Sequence, residues 1–208
     1  MLAMARRSVH LQPRFALSKP EAWRAGHSAV LVRMEVRVRL ATAEDLDALA
    51  ALVARANATY REWAGASWRP PGIAHERSRW QDRYQDVAVW NAIAAWNEEP
   101  LGCVSFTDAR RLEGAGSAIA GVAHLSRLFV DPEQWGRGIG SLLLDRAVEE
   151  MRKRRYERAQ LFTAADNMRS RRFYERHGWS VGQETRRWQA LLLVRYSRDL
   201  ATSTACFD

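Results

Sequence analysis

The chain has 208 residues, 47% hydrophobic and 27% charged, the balance of one ordinary globular domain, not of a disordered or fibrous chain. That length buries a core without disulfides or metal. The two cysteines, Cys103 in an apolar run and Cys206 near the C-terminus, form no disulfide framework, and no apolar run approaches the roughly 18–20 residues of a membrane span, so the expectation is a soluble cytoplasmic protein with no membrane partner. The formal net charge of +8 invites a nucleic-acid reading, which the kind and distribution of the basic residues disfavour. Apart from Lys19 and Lys153 the basic residues are all arginines, and they are scattered except for the run Arg152, Lys153, Arg154 and Arg155. That run ends a predicted helix, where cations complement the helix dipole.

Residues 1–33 carry Pro13, Pro20 and Gly26, one acidic residue, Glu21, and no sustained period. They read as a disordered N-terminal tail, without the apolar run of a signal peptide. A regular pattern begins at Met34 and defines an expected domain over 34–200, with 201–208 as a C-terminal tail. Val36, Val38 and Leu40 alternate with charged neighbours as in a half-buried strand. Thr42 ahead of Glu44 and Asp45 marks a helix start, and Leu46, Leu49, Leu52 and Val53 supply its apolar face. Residues 60–73, with Tyr60, Trp63 and Trp68, read as an aromatic, Pro-containing loop, and a helix polar on most faces follows over 73–84. Residues 87–96 and 101–107 read as a hairpin turning at 97–100. A loop over 109–117 leads to a long strand over 119–130, then a helix over 138–155 with Ile139, Leu142, Leu143, Ala147 and Met151 inward. A strand over 159–163, a helix over 167–177 and a final strand pattern over 183–196 complete an α/β order with helices on a mixed sheet.

The segment from Leu128 to Ser141 carries the chemistry. An apolar strand end, Leu128-Phe129-Val130, meets Asp131-Pro132, and then Trp135-Gly136-Arg137-Gly138-Ile139-Gly140-Ser141 enters a helix. Glycines let successive backbone N–H groups converge on an anion, and the helix N-terminus adds partial positive charge; together they suit a pyrophosphate. The spacing is neither that of a P-loop nor that of a dinucleotide fingerprint.

This segment resembles motif A of the GNAT acetyltransferases through Arg137-Gly138-Ile139-Gly140, with Trp135 where the family usually has Gln or Arg. A second stretch is similar to the family's motif B: Asn167, Ser170, Phe173-Tyr174-Glu175 and Gly178-Trp179, about 30 residues further on. Asn167 also suits a helix N-cap and Gly178 the left-handed residue that ends a helix. The resemblance covers roughly residues 35–200. It implies a mixed, mostly antiparallel central sheet of about six to seven strands flanked by about four helices. It implies acetyl-CoA as co-substrate, with Leu128, Phe129, Val130, Trp135, Gly136, Arg137, Gly138, Ile139, Gly140, Ser141, Asn167, Ser170, Phe173 and Tyr174 around it; no metal is expected, because no His/Cys/Asp cluster has metal-ligand spacing. A homodimer is common in the family.

The implied reaction is direct attack of an amine on the thioester, with no covalent acyl-enzyme. Backbone groups of Leu128, Phe129 and Val130 would bind the pantetheine arm and polarise the carbonyl. Tyr174 is the candidate proton donor to the departing thiolate. His124 stands where many members carry a Glu that acts through water, and strand alternation puts His124, Ser126, Leu128 and Val130 on one face, so it is the candidate base. Asp131 and Glu133 are better read as turn and cap residues, and Cys103 as a small core residue. Tyr60, Trp63 and Trp68 are candidates to line the acceptor pocket. The acceptor, an amine-bearing small molecule or peptide, stays open, although a basic surface favours a neutral or acidic one over a polycation. Two other classes also stay open: a non-catalytic acyl-CoA-binding module of the same fold, and a protein that uses its arginines on nucleic acid.

Overall fold

The computed structural model describes residues 35–65, 68–111, 116–189 and 191–200; the expected tails, 1–33 and 201–208, lie outside them. In chain order the elements are β1 (Arg37–Leu40), α1 (Leu46–Ala58), α2 (Arg61–Ala64), α3 (Ile73–Gln85), β2 (Trp90–Trp96), β3 (Glu99–Arg110), β4 (Ala118–Val130), α4 (Ile139–Lys153), β5 (Arg158–Ala164), α5 (Met168–Arg176), β6 (Ser180–Trp188) and β7 (Leu191–Asp199). The seven strands form one sheet in the order β1-β2-β3-β4-β5-β7-β6. Every neighbouring pair is antiparallel except β4 and β5, as the resemblance implied. Among the described residues no helix is long and apolar enough to cross a membrane.

Three local outcomes depart from the sequence expectations. The final strand pattern is two strands, β6 and β7, folded back on each other; no Gly or Pro marks the bend, where Gln189 takes a positive φ of 51°. The aromatic loop contains the short helix α2. Strand β2 starts at Trp90, because the Asp86 side chain accepts the Ala88 N–H at 2.9 Å and turns the chain, leaving Val87 99% exposed. The β2–β3 hairpin turns as expected, on Asn97 and Glu98 with φ of 48° and 65°, a pairing of positive φ values that matches strand twist.

The sheet separates two apolar layers. Alternation along β2 sends Ala92 and Ala94 to one side and Ile93 and Ala95 to the other. On the first side pack Ile139, Leu143, Leu144, Ala147, Val148 and Met151 of α4, with Tyr174 of α5. These α4 residues recur every three or four positions, and each side chain larger than alanine buried there contributes about 1.5–3 kcal/mol. On the second side Leu46, Leu49, Leu52 and Val53 of α1 meet Trp80 of α3. Trp68, Ala164, Leu191 and Leu193 make a third cluster beside Tyr60 and Trp63.

A bulge in β4 decides which way the site residues face. Leu125 pairs with Phe106 and Arg127 with Ser105, so Ser126 is an extra residue with no opposite number. The bulge reverses the alternation. Ala123, Leu125, Leu128 and Val130 all pack toward α4, whereas Phe129 packs toward α1, and Arg127 pairs with α3. His124, one residue from Ala123, faces the α3 side. The expectation that His124 shares a face with Leu128 and Val130 is therefore corrected.

Candidate active site

The glycine turn forms the first half of the site. Beyond β4, the Asp131 side chain accepts the Glu133 N–H at 3.1 Å, and its carbonyl accepts the Gln134 N–H at 2.8 Å. Its carboxylate also pairs with Arg55 of α1, so Asp131 is a turn and anchor residue, and Glu133 lies exposed beside it. Gly136 and Gly138 then take left-handed φ values of 78° and 81°, a conformation that costs an L-residue about 1–2 kcal/mol. Helix α4 begins at Ile139, and Leu142 N–H donates to Gly138 O at 3.0 Å. The N–H groups of Ile139, Gly140 and Ser141 therefore lie in the first turn, where a helix has no carbonyl of its own for them. A Cβ on Gly136 would meet nothing within 4 Å, whereas one on Gly140 would lie 3.4 Å from Phe173 of α5.

Side chains from α5 complete this half. The Asn167 side chain accepts the Ser170 N–H at 3.0 Å and caps α5. Arg169 stacks 3.7 Å over the Trp135 ring, and the Trp135 indole N–H donates to Val130 O at 3.0 Å. His177 bridges the helices, its Nδ1 2.7 Å from Phe173 O and its Nε2 2.9 Å from Ser141 Oγ. A carbonyl only accepts, so Nδ1 carries the proton and, in the neutral ring, Nε2 accepts from Ser141. The Trp135–Arg169 stack and the His177 bridge were not anticipated; both join residues far apart in sequence. An open turn, two left-handed glycines, a helix N-terminus and the Arg169 cation fit a pyrophosphate group.

The second half is a gap in the sheet. β4 pairs with β5 only at Val122↔Arg158, Ala123↔Ala159 and His124↔Gln160. β5 continues beside β7 as far as Ala164↔Leu193, while residues 125–130 of β4 pair only with β3. Among the described residues no strand covers the other edge of that stretch. Two tyrosines approach the gap from opposite faces. Tyr174 comes from the α4 side, packed on Phe173, Trp179 and Tyr196. Tyr60 comes from the α1 side, 4.6 Å from Trp63 and 5.6 Å from Trp68, centroid to centroid. Burial holds the Tyr174 hydroxyl well above the ordinary tyrosine range, and Tyr60 adds to the shift. Burial likewise pushes Tyr60 up to about 12, with Glu76 contributing. Among the described residues nothing hydrogen-bonds the Tyr174 hydroxyl. Trp68, expected to line the pocket, is only 1% exposed and donates its indole N–H to Asn57 O at 3.1 Å; it supports Tyr60 and Trp188 from beneath.

Where the gap closes, a cavity of about 540 Å³ opens on the α3 face, lined by His124, Gln160, Phe162, Arg83 and Arg186 among others. The His124 ring lies edge-on to Phe162 at 6.2 Å, and its Nδ1 is buried with no hydrogen-bond partner among the described residues. Burial lowers its pKa to about 4, helped by the positive charges of Arg186 and Arg83; a hydrogen bond to the Gln160 backbone acts the other way. The imidazole is therefore neutral at physiological pH. Beneath this cavity lies a buried pair that the sequence reading missed. Arg127 Nη1 is 3.1 Å from Glu76 Oε2, the guanidinium stacks 4.9 Å from the Trp80 ring, and Asn57 donates to Glu76 Oε1 at 3.3 Å. The only hint was an acid on the face of α3 that also carries Trp80. Cys103 is fully buried, and burial pushes its thiol up to about 12, as suits a core residue.

The model of the acetyltransferase (GNAT) family matches residues 55–179, more than half of the chain. An uncharacterised N-acetyltransferase of Methanocaldococcus jannaschii is 34% identical over 67 residues, 32% of this chain and 30% of that one. The mycothiol acetyltransferase of Beutenbergia cavernae is 42% identical over 53 residues, 26% of this chain and 18% of that one. The matches thus span less than a third of either curated relative. Among solved structures, the Thermoplasma acidophilum paia N-acetyltransferase in complex with coenzyme A superposes with a TM-score of 0.58 at 17% identity, covering 80% of this chain and 99% of the other. The Escherichia coli ribosomal-protein-S18-alanine N-acetyltransferase superposes at 0.61 with 16% identity, covering 83% and 99%. At these identities the structures establish the fold alone. With the family model matched from the last turn of α1 through α5, this chain belongs to the GNAT acetyltransferase family.

Proposed function

We propose that this protein moves an acetyl group from acetyl-CoA to a primary amine by direct attack. The observation that carries the reading is the opening between β4 and β5, which runs from the glycine turn to the His124 cavity. The bound thioester would supply an activated acyl group. The residues of the chain would do the rest. First-turn N–H groups of Ile139, Gly140 and Ser141, with Gly136, Arg137 and Gly138 ahead of them, would hold the pyrophosphate. Trp135 and Arg169 would flank it, while Asn167, Ser170 and Phe173 would hold α5 against the turn. The unpaired edge of β4 at Leu128 and Val130 would hydrogen-bond an extended pantetheine arm as a strand would; Phe129 turns its backbone groups to Cys103 of β3, and the Val130 carbonyl is already engaged by Trp135. Tyr60 and Trp63 would border the acceptor's path.

Protons and bonds balance as follows. The ammonium loses one proton to become a nucleophile and a second as its N–C bond forms. The C–S bond breaks, and the thiolate takes one proton back, so one proton is released overall. Tyr174, kept protonated by burial, is the proposed donor to sulfur. His124 is the proposed hydrogen-bond acceptor that orients the amine; its depressed basicity leaves the bulk of proton removal to water.

Calorimetric titration of acetyl-CoA into the full chain tests the reading. The expected result is micromolar binding that collapses for an analogue lacking the pyrophosphate, together with CoA release when an amine panel is added. Tyr174→Phe is expected to lower kcat about 100-fold while leaving the acetyl-CoA Kd in place. Binding without turnover for any amine would favour the non-catalytic module, and no binding by a folded sample would overturn both.

A further inference from the structure

We infer that the acceptor amine carries an anionic oxygen group, a carboxylate or phosphate, which is held by Arg83 at the mouth of the His124 cavity. This deepens the acetyltransferase reading and depends on it.

Arg83 lies half-buried on α3, on the wall of the cavity that His124 enters from β4. Its Nη1 donates to the Ser126 hydroxyl at 3.0 Å, and Ser126 in turn donates to Ser105 O at 3.2 Å. The guanidinium is thus positioned through the extra residue of the β4 bulge, by a neutral partner. Among the described residues no carboxylate lies within ion-pair distance of it. The same wall carries Arg186, which stacks 3.9 Å over Phe162, so two guanidinia flank the imidazole from two different elements.

The lining carries six arginines and four acidic residues, and none of those acids ion-pairs with Arg83. Asp108 accepts the Tyr156 hydroxyl at 2.6 Å, Glu184 pairs with Arg195 at 2.6 Å, and Asp86 caps the turn at Ala88. Asp82 is the fourth, and it sits exposed at the rim, where it suits the incoming ammonium. A guanidinium presents a fork of donors that matches a carboxylate or phosphate, and a half-buried one without a counter-ion strengthens such a contact. Burial lowers Arg83 to about 10, with Arg127 and Arg79 adding to the effect, so it is still charged at neutral pH. An anion at this point would also relieve the positive field that suppresses His124, so the correct acceptor would make its own orienting group more basic.

The test pairs probes of matched shape: β-alanine against β-alaninamide, and O-phosphoethanolamine against ethanolamine. Each is titrated calorimetrically into the full chain, with and without CoA, and each is assayed for acetyl transfer. The anionic member of at least one pair is expected to bind at least tenfold more tightly than its neutral partner. Arg83→Gln is expected to erase that difference without changing the acetyl-CoA Kd, and Arg83→Lys to restore part of it. Equal binding within both pairs would overturn the inference, as would an Arg83→Gln variant that weakens neutral and anionic probes alike. Should Arg83→Gln not fold, the same reading is taken from Arg83→Lys, in which loss of the fork should narrow the gap within a pair. Failure of the acetyltransferase reading shows itself separately, as absent acetyl-CoA binding, and would overturn the acceptor assignment even if the anions bound.

Discussion

His124 shows how far the environment of one residue redirects its chemistry. An imidazole with an ordinary pKa near 6.5 would be half-charged close to neutrality; here burial and two arginines bring it to about 4. Folding therefore disfavours its charged form. Between about pH 6.5 and 4 the unfolded chain binds a proton that the folded chain refuses, so stability falls as pH drops through that window, by at most about 1.4 kcal/mol per unit. His124→Gln is expected to flatten this slope when urea midpoints are measured at pH 6.5, 5.5 and 4.5. A wild-type curve no steeper than the variant's would show that the ring is solvated. The same environment predicts no inflection near pH 6.5 in the kcat/KM profile of the free enzyme.

Among the elements, β3 and β4 place the glycine turn and α4 fills the space beneath. Gly102 of β3 pairs with Val130 at the end of β4, and an added Cβ there would lie 2.9 Å from both Leu143 Cδ1 and the Phe129 carbonyl. The carbonyl belongs to the paired strand and cannot step aside as a side-chain tip can. Gly102→Ala is expected to destabilise the protein by about 1–3 kcal/mol and to raise the acetyl-CoA Kd, because relief comes only by moving β4 or α4. Thermal unfolding with and without acetyl-CoA separates the two effects; an unchanged Tm would mean that the helix shifts freely. By contrast, Gly140 has room for a methyl group, and the nearest atoms its Cβ would meet belong to Phe173 and Val130 at ordinary contact distances.

At the scale of the whole molecule, the α1/α3 layer is tied to the sheet by the Glu76–Arg127 pair, both side chains 3% exposed or less. Removing Glu76 leaves the buried Arg127 charge uncompensated, which costs about 3–5 kcal/mol, whereas without Arg127 the carboxylate keeps Arg79 at 3.6 Å; removing both with apolar groups of similar size is far less damaging. Glu76→Leu is therefore expected to be severe alone, Arg127→Met less so, and the double change milder than Glu76→Leu, with a coupling energy readable from a double-mutant cycle in urea. Additive losses would mean that the pair is solvated and independent. Burial itself lowers the Arg127 pKa, against the raising effect of Glu76, the signature of a cation held inside by its partner.

Local chemistry was legible wherever adjacent residues decide it. The glycine turn at 136–140, the Asn167 cap, the Asn97–Glu98 hairpin and the apolar stripe of α4 follow from backbone freedom, capping and periodicity, and they led to the family and to a mixed sheet. Even the likeness of motifs A and B to GNAT sequences is a property of short contiguous segments. What the tertiary structure alone decided is everything set by pairing at a distance. The bulge at Ser126 depends on how β4 meets β3, and it turned His124 away from Leu128. The split of the final segment into β6 and β7 had no Gly or Pro to announce it, because Gln189 adopts its positive φ only with both strands in place. Trp68 went inside because Asn57 O was there to take its indole N–H, and Arg83 came to the His124 cavity by bonding Ser126, 43 positions away in sequence. Periodicity reports which side of an element is apolar; which groups then confront one another follows from the packing of elements remote along the chain.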